Sequence, residues 1–140
     1  MAEVIRIGGL ELRFLRSKDD TGGSLDLFEM TVAPTGRMPV PHHHRDWDET
    51  VYGLSGRLVF RLGAEEHVIA PGDHLFIPRG VVHGFENRSG APATCLNVLT
   101  PGVLGPAYFR ELAALVASGS PEPAAMREVM LRHGLVPASP

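Results

Sequence analysis

Glycine and proline restrict what this chain can become. Sixteen Gly and twelve Pro fall among its 140 residues, and they divide the sequence into pieces mostly too short for an ordinary helix. The pieces are strand-like instead. Val4–Ile7 and Leu10–Leu15 flank Gly8-Gly9, a two-residue hairpin signal. Further runs follow at Leu25–Val32, Met38–His44, Glu49–Leu54, Arg57–Leu62, His67–Ala70, Leu75–Ile77, Val81–Asn87 and Thr94–Leu99. Turn formers separate them, among them Ser55-Gly56, Pro71-Gly72-Asp73, Pro78–Gly80 and Ser89–Pro92. About ten short strands with no helix between them cannot build βαβ units, which leaves an antiparallel sandwich or barrel around a lumen.

Beyond Pro106 the pattern changes. Tyr108, Leu112 and Leu115, joined by Phe109 and Val116, recur at helical spacing, and Gly119 can stop that helix. A second helix is predicted with Ser120 as N-cap, Pro121 at the first helical position, an apolar stripe of Met126, Val129 and Met130, and Gly134 as its stop. The expected organisation is one domain. Residues 1–105 form an all-β antiparallel barrel including the N-terminal strands, and residues 106–140 are a helical extension placed to cover an open barrel end.

Composition narrows the partners. A chain of 15.1 kDa with 44% hydrophobic and 21% charged residues reads as one soluble globular domain. It can bury roughly two-thirds of its unfolded surface, so it needs no disulfide or structural zinc to hold a core, and any metal ligands are free for chemistry. The formal charge of -3 and the scattered basic residues argue against nucleic acid. Glu3 and Arg6 interrupt the start of the chain, so neither a signal peptide nor a membrane span is expected there, and the location expected is cytoplasmic. The single cysteine, Cys95, cannot form an internal disulfide.

One stretch carries chemistry: Pro41-His42-His43-His44-Arg45-Asp46-Trp47-Asp48-Glu49. Side chains alternate along a strand, so His42 and His44 share a face and His43 takes the other. Asp46-Trp47-Asp48 can bend the chain, after which Glu49 opens the returning strand beside the two imidazoles. In the segment from Gly72 to Asn87, His83 shares a face with Val81, Phe85 and Asn87 and can supply a third imidazole. Three imidazoles and a carboxylate suit Fe, Mn, Ni, Cu or Zn better than Ca or Mg. Because imidazole binds a metal only when neutral, occupancy is expected to fall below about pH 6.5, the unperturbed histidine pKa.

These segments resemble the paired motifs of the cupin superfamily, a small β-barrel or jelly-roll family often carrying a divalent metal. Gly36, His42, His44, Glu49 and Gly56 match the first motif, with four residues before the Glu; Gly72, Pro78, Gly80, His83 and Asn87 match the second without a departure. The motifs span residues 36–87. The resemblance implies a jelly-roll barrel with His42, His44, Glu49 and His83 as ligands of one divalent transition metal. It implies nothing about the helical tail.

Phe60, Phe76, Phe85 and Leu99 are expected to line the lumen beside the metal, which favours an aromatic or otherwise oxygenated but largely hydrophobic small molecule as substrate. The activity expected first is that of a dioxygenase-like oxidoreductase similar to the quercetin-dioxygenase branch of cupins, with Glu49 as catalytic base. A non-redox metal isomerase or lyase, and a non-catalytic small-ligand binder, are the alternatives. His43 is expected to face away from the ligands, His67 to lie at the surface or a turn and His133 in a helix's last turn, while period-two alternation leaves the face of His74 open. Trp47 reads as a turn residue covering the hairpin, with a roof over the site as the alternative, and Tyr108, Phe109, Leu112, Met126 and Met130 read as packing. Exposed edge strands and the extended residues 1–16 point to a homodimer.

Overall fold

The computed structural model describes residues 2–36, 40–119 and 122–138. Eleven strands and two helices are found among them: β1 (Glu3–Ile7), β2 (Leu10–Arg16), β3 (Asp26–Val32), β4 (His42–His44), β5 (Asp48–Ser55), β6 (Leu58–Leu62), β7 (Glu65–Ile69), β8 (His74–Ile77), β9 (His83–Glu86), β10 (Ala93–Thr100), α1 (Gly105–Ala117), α2 (Pro123–Arg132) and β11 (Leu135–Pro137). The strands form two antiparallel sheets, one in the order β1-β2-β3-β10-β5-β8 and one in the order β11-β4-β9-β6-β7. This two-layer, all-β arrangement is consistent with the jelly-roll expected from the sequence.

Alternation along the strands places the core between the layers. In β3, Asp26, Phe28, Met30 and Val32 are buried, and in β10, Ala93, Cys95, Asn97 and Leu99 are buried, with less buried residues between them. Val51 of β5 faces the same layer as Leu75 of β8, its cross-strand partner. The β1–β2 turn closes with Ile7 opposite Leu10, and Gly8 takes φ 55°, which an L side chain seldom adopts. The N-terminal residues thus pair within the chain's own sheet, with β1 at its edge.

Several motif residues act on the frame. Asn87 donates from Nδ2 to the carbonyls of Val32 (3.1 Å) and Ala91 (2.7 Å), and its backbone N–H donates to Gly36 O (2.8 Å), which clasps the end of the second motif to the start of the first. Gly56 sits at φ 68°, where an added Cβ would lie 2.6 Å from Pro92 O. In the Pro78–Gly80 turn, Arg79 binds the Asp48 carboxylate through N (2.8 Å), Nε (3.2 Å) and Nη2 (3.1 Å), while Gly80 N–H donates to His44 O (2.9 Å). That turn pins the start of β5 to the histidine strand.

The tail departs from expectation in two ways. The second helix begins at Pro123 after Glu122 in an extended conformation (φ −67°, ψ 145°), so Glu122 is the capping position; Ser120 and Pro121 lie outside the described residues, as does Met38. After α2 the chain returns as β11, pairing Leu135, Val136 and Pro137 with His44, His43 and His42. Arg45 N–H donates to Gly134 O (3.0 Å) and Ala138 N–H to Pro41 O (2.9 Å). Antiparallel pairs alternate, so Pro137 occupies a non-hydrogen-bonded position on an edge strand, where its missing N–H leaves no gap. Buried Asp26 fixes the start of α1, accepting from Lys18 N–H (2.8 Å) and Gly105 N–H (3.0 Å). Helix α1 is held to α2 by Glu111, which binds Arg132 (2.6 Å) and His133 (2.8 Å). No helix among the described residues is long and apolar enough to cross a membrane.

Candidate metal centre

The four residues singled out for metal binding come from both layers. His42 and His44 stand on β4, His83 on β9 directly opposite His42, and all three belong to the five-stranded sheet. Glu49 stands on β5 in the six-stranded sheet. It therefore faces the imidazoles across the interior rather than lying beside them on an adjacent strand, because Arg45–Trp47 carries the chain from one layer to the other.

The donor atoms converge. His42 Nε2 and His44 Nε2 are 3.2 Å apart, and Glu49 Oε1 lies 3.9 Å from His44 Nε2 and 4.0 Å from His83 Nε2. The three imidazole donors all fall within 4.8 Å of one another. Two donors each about 2.1 Å from one ion are separated by about 3 Å at right angles and about 4.2 Å in line, so the measured spacings fit a common transition-metal ion. His83 Nε2 is buried without a hydrogen-bond partner, an arrangement disfavoured unless something else satisfies that lone pair.

Ring orientation is set from behind. His42 Nδ1 lies 3.0 Å from Val40 O and His83 Nδ1 3.1 Å from Val81 O. In the neutral rings these nitrogens donate to the carbonyls, leaving each Nε2 lone pair toward the centre. His44 is held by stacking on Trp47, with ring centroids 4.6 Å apart and planes 22° apart. Trp47 is fully buried, packed against Gly134, and supports the histidine from outside the cavity. Asn97 donates from Nδ2 to Glu49 Oε2 over 2.7 Å, and its Oδ1 accepts from the Cys95 thiol at 3.3 Å. One carboxylate oxygen is thereby anchored and the other faces the imidazoles.

Burial governs the charges. It pushes His42 down to about 3, with His83 adding to the effect, and carries His44 further in the same direction. Glu49 is pushed up by burial, opposed by His83 and by the Asn97 hydrogen bond. In the metal-free protein His42 and His44 are neutral at pH 7, the state that coordinates, and a bound cation would favour the ionised Glu49. Burial thus moves proton competition at these two rings well below the pH 6.5 expected of exposed histidine.

The centre's side chains line a cavity whose other walls are mostly apolar. Phe60, Phe85 and Leu99 line it, as do Phe28, Met30 and Leu12. Phe76 does not: 52% exposed, it points away from the interior, because Leu75 and Ile77 take the inward positions of β8. This corrects its placement on the lumen wall. Helices α1 and α2 supply the remaining wall through Tyr108, Phe109, Leu112, Met126 and Met130, which serve both packing and lining. The sequence reading passed over Asn97, although it shares a strand face with Leu99, and a polar residue on that inward face was the available signal. Trp47, expected to cover the hairpin or roof the site, stacks on the His44 ring, a contact that no spacing rule specifies.

Residues 28–99 match the family model described as a cupin domain. Among characterised proteins, the chain is 35% identical over 81 residues to tetracenomycin polyketide synthase protein TcmJ of Streptomyces glaucescens, covering 58% of this chain and 52% of that one. The match spans about half the relative's length. Among solved structures, the polyketide cyclase RemF of Streptomyces resistomycificus is 30% identical with TM-score 0.61, covering 71% of this chain and 72% of the other. A sugar phosphate isomerase from the cupin superfamily of Silicibacter pomeroyi is also 30% identical, with TM-score 0.58 and coverage of 71% and 68%.

Proposed function

The chain belongs to the cupin domain family, and on that premise we propose that it is a metal-dependent enzyme acting on a small, largely apolar molecule bearing carbonyl or hydroxyl oxygens, of the kind found in aromatic polyketides. The observation that carries this reading is the cavity lining: a cluster of metal-ligating side chains in walls that are otherwise hydrocarbon apart from Asn97 and Tyr108, with no Lys or Arg among the described lining residues. A sugar phosphate would bring a dianion into that space with no Lys or Arg to share its charge beyond the ion itself, which makes it a poorer match than a neutral molecule. An aromatic ligand would meet Phe28, Phe60, Phe85 and Phe109. The likenesses to the Streptomyces polyketide proteins support the same substrate class.

In this reading His42, His44, His83 and Glu49 hold one divalent transition metal. When bound, such an ion polarises a substrate oxygen and makes neighbouring protons more acidic. The protein's own contribution is positional. The Val40 and Val81 carbonyls keep His42 and His83 in the coordinating tautomer, and Trp47 keeps the His44 ring in place. Released from the ion, Glu49 Oε1 would accept the proton lost by the substrate, while Asn97 retains Oε2. Apolar walls exclude water, so the proton has few competing acceptors.

Exchange of the acidic α-proton of a β-dicarbonyl probe for deuterium tests the base. Metal-loaded wild type should outpace Glu49→Gln by roughly 100-fold or more, the usual contribution of a positioned base. Equal rates, with equal metal content, would contradict it. The dioxygenase-like activity is the second reading, favoured by a three-His, one-Glu donor set that also suits redox-active metals. Turnover that persists without oxygen supports the proton-transfer reading, and strict oxygen dependence supports the oxygenase.

A further inference from the structure

Six polar residues line the described cavity: His42, His44, Glu49, His83, Asn97 and Tyr108. The first five constitute the metal centre and its Asn97 support. Tyr108 stands apart from them on α1, outside the residues 28–99 that match the family model. Tyr108 is 3% exposed, and its hydroxyl, itself not sealed from the cavity or solvent, makes no hydrogen bond among the described residues. The phenol of a buried tyrosine normally finds a hydrogen-bond partner.

The ring is packed between two neighbours. Tyr108 packs edge-on against Phe109, with centroids 5.0 Å apart and planes at 69°, and against His133 at 5.3 Å and 62°. His133 Nε2 is engaged by Glu111 at 2.8 Å, and Arg132 holds the same carboxylate, so the neighbouring polar groups are committed to joining α1 and α2. Burial also raises the pKa of the phenol, which therefore remains a protonated donor at neutral pH.

We propose that Tyr108 is a specificity-determining residue that donates a hydrogen bond to a second oxygen of the ligand, so that the cavity selects an apolar, ring-bearing molecule with one oxygen for the metal centre and another for α1. This inference rests on the proposed function in taking the cavity as the ligand site. It adds that the helical tail, rather than the barrel alone, sets the oxygenation pattern recognised. A ligand with a single oxygen would leave the phenol unpaired, and a ligand with two would satisfy it.

Calorimetry on zinc-loaded protein with 2-naphthol and the dihydroxynaphthalene isomers tests this. Wild type should bind at least one dihydroxy isomer roughly tenfold more tightly than 2-naphthol, the difference that one buried hydrogen bond makes. Tyr108→Phe should bring that preference to within about twofold while retaining its zinc. A preference that survives in Tyr108→Phe, or its absence in wild type, overturns the assignment. Failure of every naphthol to bind zinc-loaded wild type would instead overturn the apolar-ligand reading beneath it. A check independent of any variant uses the monomethyl ether of the preferred isomer, whose ether oxygen accepts but cannot donate. Wild type should still favour it over 2-naphthol, and loss of that preference would contradict a phenol donor.

Discussion

His42 and His44 are buried where a positive charge would lose its hydration, and they answer to acid accordingly. Their pKa values in the folded, metal-free chain lie below the unfolded value of 6.5, with His42 at about 3. As pH falls below 6.5 the unfolded chain takes up protons that the folded chain refuses, so stability drops between about pH 6.5 and 3, by at most roughly 1.4 kcal/mol per pH unit for each ring. Glu49 works in the opposite sense, because its raised pKa contributes stability at low pH that is lost as pH rises through that value. Thermal unfolding of metal-free wild type and of a His42→Gln variant across pH 7 to 4 checks the sign. Wild type should lose more of its Tm than the variant, and parallel curves would contradict the assignment. The spacing of His42, His44, Glu49 and His83 was legible because each motif is a fixed count of residues along strands of period two. Phe76 was not, because Leu75, Phe76 and Ile77 are all apolar and provide no polar residue to fix which face is inward.

At the scale of elements, the same punctuation that predicted ten strands located them closely, since Gly and Pro mark where strand pairing has to stop. The strand that escaped notice is β11. Three residues ending in Pro137 show no alternation, and proline in a strand normally argues against one. Only the tertiary register against β4 makes it a strand, and that register places it at the sheet edge directly beside the strand that carries the histidine pair. Val136 lies opposite His43 between the Gly134–Arg45 and Ala138–Pro41 hydrogen bonds, so antiparallel alternation requires its N–H. Val136→Pro should therefore loosen β4 and weaken zinc binding by roughly tenfold, in keeping with the effect of lost support around metal ligands. Competition with a chelator of known affinity measures this, and unchanged affinity in a folded variant would show that β11 does not support the site.

The described residues form two antiparallel layers with a polar cluster lining a largely apolar interior cavity that a pair of helices also lines. The layers followed from strand count and turn chemistry, and the helices' position at the lumen was within reach of a period-3.6 stripe following a barrel. How the donors meet was not. Glu49 belongs to the opposite sheet from the three imidazoles, and a linear sequence does not tell which strands switch layers. That crossing allows four side chains to surround a shared point, and the functional reading depends on it. Elemental analysis of the chain after equilibration with zinc at neutral pH and exhaustive desalting addresses it. Wild type should retain one ion per chain and a His42→Ala, His83→Ala double variant none; a wild type that emerges metal-free, or a double variant that keeps its ion, would refute the convergence of these four donors on one cation.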